Sequence, residues 1–355
     1  MEFTMGGRLE VRITPADVGK RVSVRRRSEG GGAGAEFTDT VGVLTSWDDG
    51  VVAITRRSGE SVRIVESSLV AGKVVPAAPA RRRGPAASFE ELAAVTARAW
   101  QPVESEALGE WRLRAAGGFT RRANSVLPLG DPGMPLGEAF GQVERWYEER
   151  GLPPYVQTAT GAEGTQETLC AELERRGWRR EVSAQVRIAA LAPVGDLDAD
   201  VSAVRLTREP DAAWLSRYQR FTTPGPHVLR VLGSGPSVWF ATVAGESESA
   251  DESEGESAAA AGAEDGSRAG SAVPAAIGRC VVDGRWAGFM AVEVAPEHRR
   301  RGLATAVMAA LARRALDEGA SAAWLQVEED NEGARELYDG MGFATHHSYH
   351  HFRPA

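Results

Sequence analysis

Residues 286–343 read WAGFMAVEVAPEHRRRGLATAVMAALARRALDEGASAAWLQVEEDNEGARELYDGMGF (Trp286 to Phe343), and how this stretch divides decides the fold. A strand-like run at 289–294 ends at Pro296. His298, Arg299, Arg300, Arg301, Gly302, Leu303 and Ala304 follow and open a long helical pattern. Leu303, Val307, Leu311 and Ala315 recur every four residues with Met308 and Leu316 beside them, which predicts one apolar helix face. Gly319 is its stop. A second strand is expected over 322–327. Asn331 then caps a helix from about Glu332, on which Ala334, Leu337, Tyr338 and Met341 lie near one face.

A strand that turns directly into a helix leaves backbone N–H groups unpaired at the helix start. The helix dipole adds positive potential there, so the turn suits an anion. Gly302 lets the backbone approach a phosphate and permits a positive φ. Arg299, Arg300 and Arg301 add fork-shaped donors matched to phosphate oxygens. A diphosphate held here would lay the rest of a cofactor along the preceding strand.

Arg299-x-x-Gly302-x-Ala304 resembles the pyrophosphate signature (Gln/Arg)-x-x-Gly-x-(Gly/Ala) of the GNAT superfamily of acyl-CoA-dependent N-acyltransferases. Asn331, Ala334, Tyr338, Gly342 and Phe343 resemble its downstream segment. The resemblance implies a GNAT fold of α+β or α/β class, a mixed sheet flanked by helices, with acetyl-CoA as co-substrate. It places Val292, Val294, Arg299, Arg300, Arg301, Gly302, Leu303, Ala304, Thr305, Asn331, Ala334 and Tyr338 at the cofactor. Tyr338 matches the family tyrosine beside the CoA sulfur, where a phenol can protonate a departing thiolate. Backbone N–H groups of residues 292–294 would polarise the thioester carbonyl.

The general base is the weak point of the motif. In some members the base lies before the pyrophosphate loop, at the position of Gly288; in others it lies on the next strand, at Gln326. Neither residue can take a proton from an amine. Glu293 is the candidate carboxylate, with Tyr218, His227 and Tyr349 as lesser pocket residues.

The chain has 355 residues, 43% hydrophobic and 25% charged, and no apolar run long enough for a bilayer. The first residues lack the apolar core of a signal peptide, and Cys170 and Cys280 are the only cysteines. A cytoplasmic protein with two buried, inert cysteines is expected. Net charge is −8, and most of it sits in 246–272, where eight acids face Arg268 alone. That Ala, Ser, Gly and Glu-rich stretch is expected to be a disordered insertion. His346, His347, His350 and His351 fall on both faces of one strand without a carboxylate or thiol set, so no metal is expected.

Four segments are expected. Residues 1–78 carry short strand runs and an Asp49-Gly50 hairpin signal, which predicts a small SH3-like β-barrel. Residues 79–87 form a linker, 88–195 a degenerate GNAT-like domain, and 196–355 the catalytic GNAT domain. Within 88–195 strands are expected at 111–115, 123–128, 155–160 and 180–189. Leu173-Glu174-Arg175-Arg176-Gly177-Trp178 echoes 337–343, hence tandem halves. The turn at 129–135 has an acid and two prolines and no arginine, so one CoA site is expected, in the second half. The glycine-rich stretch 117–124 is a candidate to face the cleft.

The sequence therefore reads as an acetyl-CoA-dependent N-acetyltransferase acting on a primary amine by direct attack. The other reading is a non-catalytic acyl-CoA-binding regulator whose barrel engages nucleic acid or protein. For the enzyme, the partners expected are acetyl-CoA, an amine acceptor, and as a candidate a second copy of the chain. Nucleic acid and membrane are not expected.

Overall fold

The computed structural model describes residues 10–27, 37–76, 84–218, 225–245 and 273–355. The acidic stretch 246–272, the glycine run at 30–34 and the arginines at 81–83 lie outside the described residues. Two units are distinguished: Met1–Ala190 with Trp324–Ala355, and Leu191–Ala323.

In the first unit, β1 (Arg21–Arg27), β2 (Phe37–Asp48), β3 (Val51–Thr55), β4 (Ser61–Val65) and β5 (Leu69–Val74) form an antiparallel sheet ordered β4-β3-β2-β1-β5. Asp49 and Gly50, both at positive φ, make the tight turn the hairpin signal predicts. Alternate residues point inward, and Val22, Val24, Leu44, Val52, Ile54 and Ile64 close a small core. The arrangement is that of a small barrel-like domain.

Next come α1 (Phe89–Ala99), β6 (Glu104–Leu108), β7 (Trp111–Ala115), β8 (Leu127–Pro128), α2 (Leu136–Glu148), β9 (Val156–Thr160), α3 (Glu167–Arg175) and β10 (Arg179–Ala190). Ser88 caps α1 by accepting from the Glu91 N–H at 3.1 Å. The strand expected at 123–128 is only two residues long. Asn124 is the reason: its Oδ1 accepts from Ala116 N at 2.7 Å and Gly118 N at 3.0 Å, while its Nδ2 donates to Phe119 O and Thr120 O. Those bonds knit residues 116–124 into a loop with a short 3-10 turn at Arg121–Ala123.

The second unit contains α4 (Leu191–Gly195), β11 (Val204–Thr207), α5 (Ala212–Arg217), α6 (Pro226–Leu232), β12 (Ser237–Val243), β13 (Ala276–Asp283), β14 (Trp286–Val294) and α7 (Leu303–Asp317). Its strands run antiparallel in the order β11-β12-β13-β14. α7 packs on this sheet. Gly278 marks the closest approach, since a Cβ there would meet Val307 at 2.5 Å. Residues 306–312 and Ala315 of α7 are all buried, a wider face than the four-residue period predicts.

β15 (Ala322–Glu328), α8 (Glu332–Gly340) and β16 (Ala344–Arg353) follow, and from Trp324 onward the chain belongs to the first unit. There the strand order is β15-β10-β16-β9. β10 pairs with β16 and β16 with β9, both antiparallel. The last strand of each half thus lies beside the other half's strand–helix unit. The sequence echo is structural too. Gly177 and Gly342 take φ 82° and 87°, and the next N–H returns to the helix: Trp178 to Leu173 O at 2.9 Å, Phe343 to Tyr338 O at 3.0 Å. These are matching C-terminal caps, and Tyr338 occupies the place of Leu173.

Candidate active site

On β14 the ladder slips. Met290 faces Arg279 and Glu293 faces Ile277, so Ala291 and Val292 share Gly278 across the pair. Ala291 takes φ 52°. This is a β-bulge, which re-aims the backbone N–H groups of the residues after it. The sequence predicts an unbroken strand here; an alanine at positive φ carries no signal in composition or period.

β14 ends at a short 3-10 turn, Pro296–His298, and the chain passes through Arg300 at φ 63° and Gly302 at φ 78° into α7. The left-handed backbone expected at Gly302 is present. The first helical bond runs from Ala306 N to Gly302 O at 2.9 Å, and α7 has neither a side-chain cap nor an acid in its first turn. The N–H groups of Leu303, Ala304 and Thr305 therefore stand at the helix start with no intrahelical acceptor. Arg299, Arg300 and Arg301 are exposed around them. Arg301 Nη1 lies 2.9 Å from His298 Nδ1. Arg299 Nε reaches Val294 O at 3.5 Å, a long contact. Val292, Glu293 and Val294 are half-buried.

The corresponding turn before α2 is different. Asp131 N donates to Glu110 Oε2 at 2.7 Å, and Gly133 N donates to the Asp131 carboxylate at 2.7 Å. Two of its N–H groups are thus bonded to acids, whose charge would repel a phosphate.

In the first unit Asn331 caps α8 as expected, accepting from Ala334 N at 3.1 Å. Tyr338 meets Phe343 edge-on at 5.9 Å. The partial cover of its side chain pushes the phenol further up, to about 12, and the hydroxyl, protonated at neutral pH in any case, is available as a donor. α8 is amphipathic, yet none of its residues is fully buried; Ala334, Leu337 and Tyr338 are half-covered. The matching helix α3 fully buries Cys170 and Leu173. A cleft of about 770 Å³ lies in this unit along α8, bordered by Arg187, Arg335, Glu336, Asp339 and Thr345. Tyr338 and Asn331 do not line it.

The lesser candidates disperse. Tyr218 is buried against Trp214 at 5.1 Å, a core position. His227 sits in the first turn of α6. Tyr349 is buried and accepts from Arg122 Nε at 2.9 Å. Three of the histidines of β16 are core residues: His347, His350 and His351 are at most 3% exposed. His350 bonds Thr160 Oγ1 at 3.0 Å and Ser183 Oγ at 2.8 Å, while His346 Nδ1 lies 2.9 Å from His347 Nδ1. Burial pulls His347 and His350 down to about 3 and His351 well below its ordinary value. Cys170 and Cys280 are buried, and burial pushes both thiols up, Cys170 to about 12. Among the described residues no group of three or more His, Cys, Asp or Glu could hold a metal ion, and no helix is long and apolar enough to cross a membrane.

A bulged strand leading into a glycine-started helix, within tandem halves of this topology, defines an N-acetyltransferase of GNAT fold. A structure from Kribbella flavida described as a GCN5-related N-acetyltransferase shares the fold, with a TM-score of 0.50 and 13% identity, over 76% of this chain and 96% of that one. The family model described as "Probable histone acetyltransferase Rv0428c C-terminal" matches residues 87–352, and the chain belongs to that family. The Mycobacterium tuberculosis protein named "Probable histone acetyltransferase Rv0428c" is 28% identical over 332 residues, 93% of each chain. The Bacillus subtilis protein named "Uncharacterized N-acetyltransferase YobR" is 26% identical over 274 residues, 75% of this chain and 96% of its own.

Proposed function

We propose that this acetyltransferase moves the acetyl group of acetyl-CoA to a primary amine by direct attack, with one CoA site, in the second half. The observation that carries this is the half-covered face of α8, set against the fully buried residues of its counterpart α3. A packing helix would have buried that face; a helix lining a substrate site leaves it open. The free N–H groups of Leu303, Ala304 and Thr305, with Arg299, Arg300, Arg301 and Gly302, suit the diphosphate. Asn331 and Ala334 would border the pantetheine arm.

In the reaction the amine nitrogen bonds to the thioester carbon and the carbon–sulfur bond breaks. Backbone N–H groups after the bulge, at Val292 and Val294, would stabilise the carbonyl oxygen as it gains charge. The Tyr338 hydroxyl would give its proton to the departing thiolate. Glu293 is the assigned acceptor of the amine proton, directly or through water. A protein lysine is the first acceptor class to test, since the M. tuberculosis relative is named a probable histone acetyltransferase. The domain division 1–78, 88–195 and 196–355, an SH3-like character for the barrel and a cytoplasmic location belong to the same reading.

The test is CoA-thiol release from acetyl-CoA with a panel of lysine peptides and small primary amines, alongside calorimetric CoA titration. One CoA per chain and an acetylated amine product are expected. Binding abolished by Gly302→Asp would support the diphosphate assignment; a second equivalent site surviving in that variant would refute it.

A further inference from the structure

Two arginines of the first unit are covered without an acid to balance them. Arg114 on β7 is 2% exposed, and Arg122 in the following loop is half-buried. Arg114 donates only to neutral acceptors: Ser125 O at 2.9 Å, Ser125 Oγ at 2.8 Å and Gln157 Oε1 at 2.9 Å. These bonds use Nε and Nη2; Nη1 has no acceptor among the described residues. Arg122 gives Nε to the Tyr349 hydroxyl at 2.9 Å, and its guanidinium lies 5.8 Å from the rings of both Trp100 and Tyr349. Among the described residues neither arginine meets a carboxylate.

Both border one small cavity with Trp100, Gln157 and Gln326. Its volume is about 10 Å³, close to one water-sized body. Gln326 brings a side-chain oxygen that is buried and has no partner. Turned over, its amide offers N–H donors instead. Beside the arginines, His351 is 2% exposed with both ring nitrogens unpartnered, and it stays neutral chiefly through burial and then through the field of Arg122, Arg114 and Arg121. Burial also pulls the Arg114 guanidinium down to about 10. Covering guanidinium charge against neutral groups alone is unfavourable unless a counter-ion completes the set.

We propose that this cavity binds one small anionic group, held by Arg114 and Arg122 with the Gln326 amide completing the cage. Two sources share that chemistry: a free ion of chloride size, and a single carboxylate oxygen at the tip of an acceptor, either of which takes the place of one water. Gln326 sits on β15, the strand that leads into Asn331 and α8. The second source rests on the acetyl-transfer reading above; the anion site itself does not.

The test uses the full-length chain. Thermal unfolding is followed as sodium formate or sodium chloride replaces sodium methanesulfonate at constant ionic strength, the tetrahedral methanesulfonate head being too large for the cavity and carrying no carboxylate. A saturable rise of the midpoint is expected in formate or chloride, weakened at least tenfold in apparent affinity by Arg122→Gln. Gln326→Leu is the second variant, should the first unfold, and the same direction is expected. Equal midpoints in all three salts, or a rise unchanged in both variants, would overturn the site. The source is then read from paired amines, an amino acid against its amide. A tenfold or greater preference in kcat/KM for the carboxylate, lost in Arg122→Gln, assigns the acceptor. A salt-dependent midpoint without that preference assigns a free ion. If no amine is acetylated, the unfolding data alone decide the anion site.

Discussion

At the residue scale, Tyr338 is the sharpest test. Tyr338→Phe keeps the ring against Phe343 and removes only the hydroxyl. General acid catalysis is worth roughly 10²–10⁴-fold in rate, so kcat and kcat/KM should fall together by about that factor while CoA affinity holds. Wild-type turnover in the variant would make Tyr338 a packing residue. The histidines of β16 set a pH limit. His347, His350 and His351 are buried neutral, with pKa values held down. Below about pH 6.5 the unfolded chain takes up protons that the native state refuses. Stability is therefore full above that pH and lost progressively on the way down toward about 3. At pH 5 the loss should be on the order of 2 kcal/mol each for His347 and His350, with His351 adding in the same direction. Equal denaturant midpoints at pH 7 and pH 5 would show that these imidazoles are hydrated or paired.

At the element scale, α3 and α8 share one sequence grammar: nine helical residues, one capping residue, then a glycine at positive φ and an aromatic residue whose N–H closes the end. They differ in what they cover. Leu173 goes into the core of the first half, with Trp111, Phe140 and Trp178. Tyr338 at the matching place remains half-covered. α8 has little buried area to hold it, so its cap should matter. Asn331→Ala removes the bond to the Ala334 N–H, and a loss of about 1 kcal/mol is expected in chemical denaturation. CoA affinity should fall as well, because the capped end is part of the proposed site. An unchanged midpoint would mean that packing alone fixes α8.

At the scale of the whole molecule, the exchange of strands ties the halves together. β10 comes from the first half and lies between β15 and β16 of the second. Ser183 Oγ meets His350 Nδ1 at 2.8 Å across 167 residues of sequence. A chain cut to residues 200–355 would leave β15 and β16 without that neighbour and with open edges. It should not unfold cooperatively, whereas residues 84–355 should. A cooperative transition and CoA binding by the shorter piece would show that the second half folds alone.

What the residues determined by themselves is local. The period of α7, the left-handed turn at Gly302, the Asn331 cap and the Asp49-Gly50 hairpin each depend on neighbours within a few positions, so one stretch of sequence holds all the information. The repeat was legible for the same reason, since a helix stop is a short pattern that recurs. Tertiary structure decided the rest. The bulge at Ala291 follows from the register against β13, and the loop at 116–124 from Asn124 outbidding a strand ladder for its N–H groups. The cavity of Arg114 and Arg122 gathers Gln157 and Gln326 from strands far apart in the chain. Strand partners and buried charges are chosen by long-range packing, which leaves no period in the sequence to read.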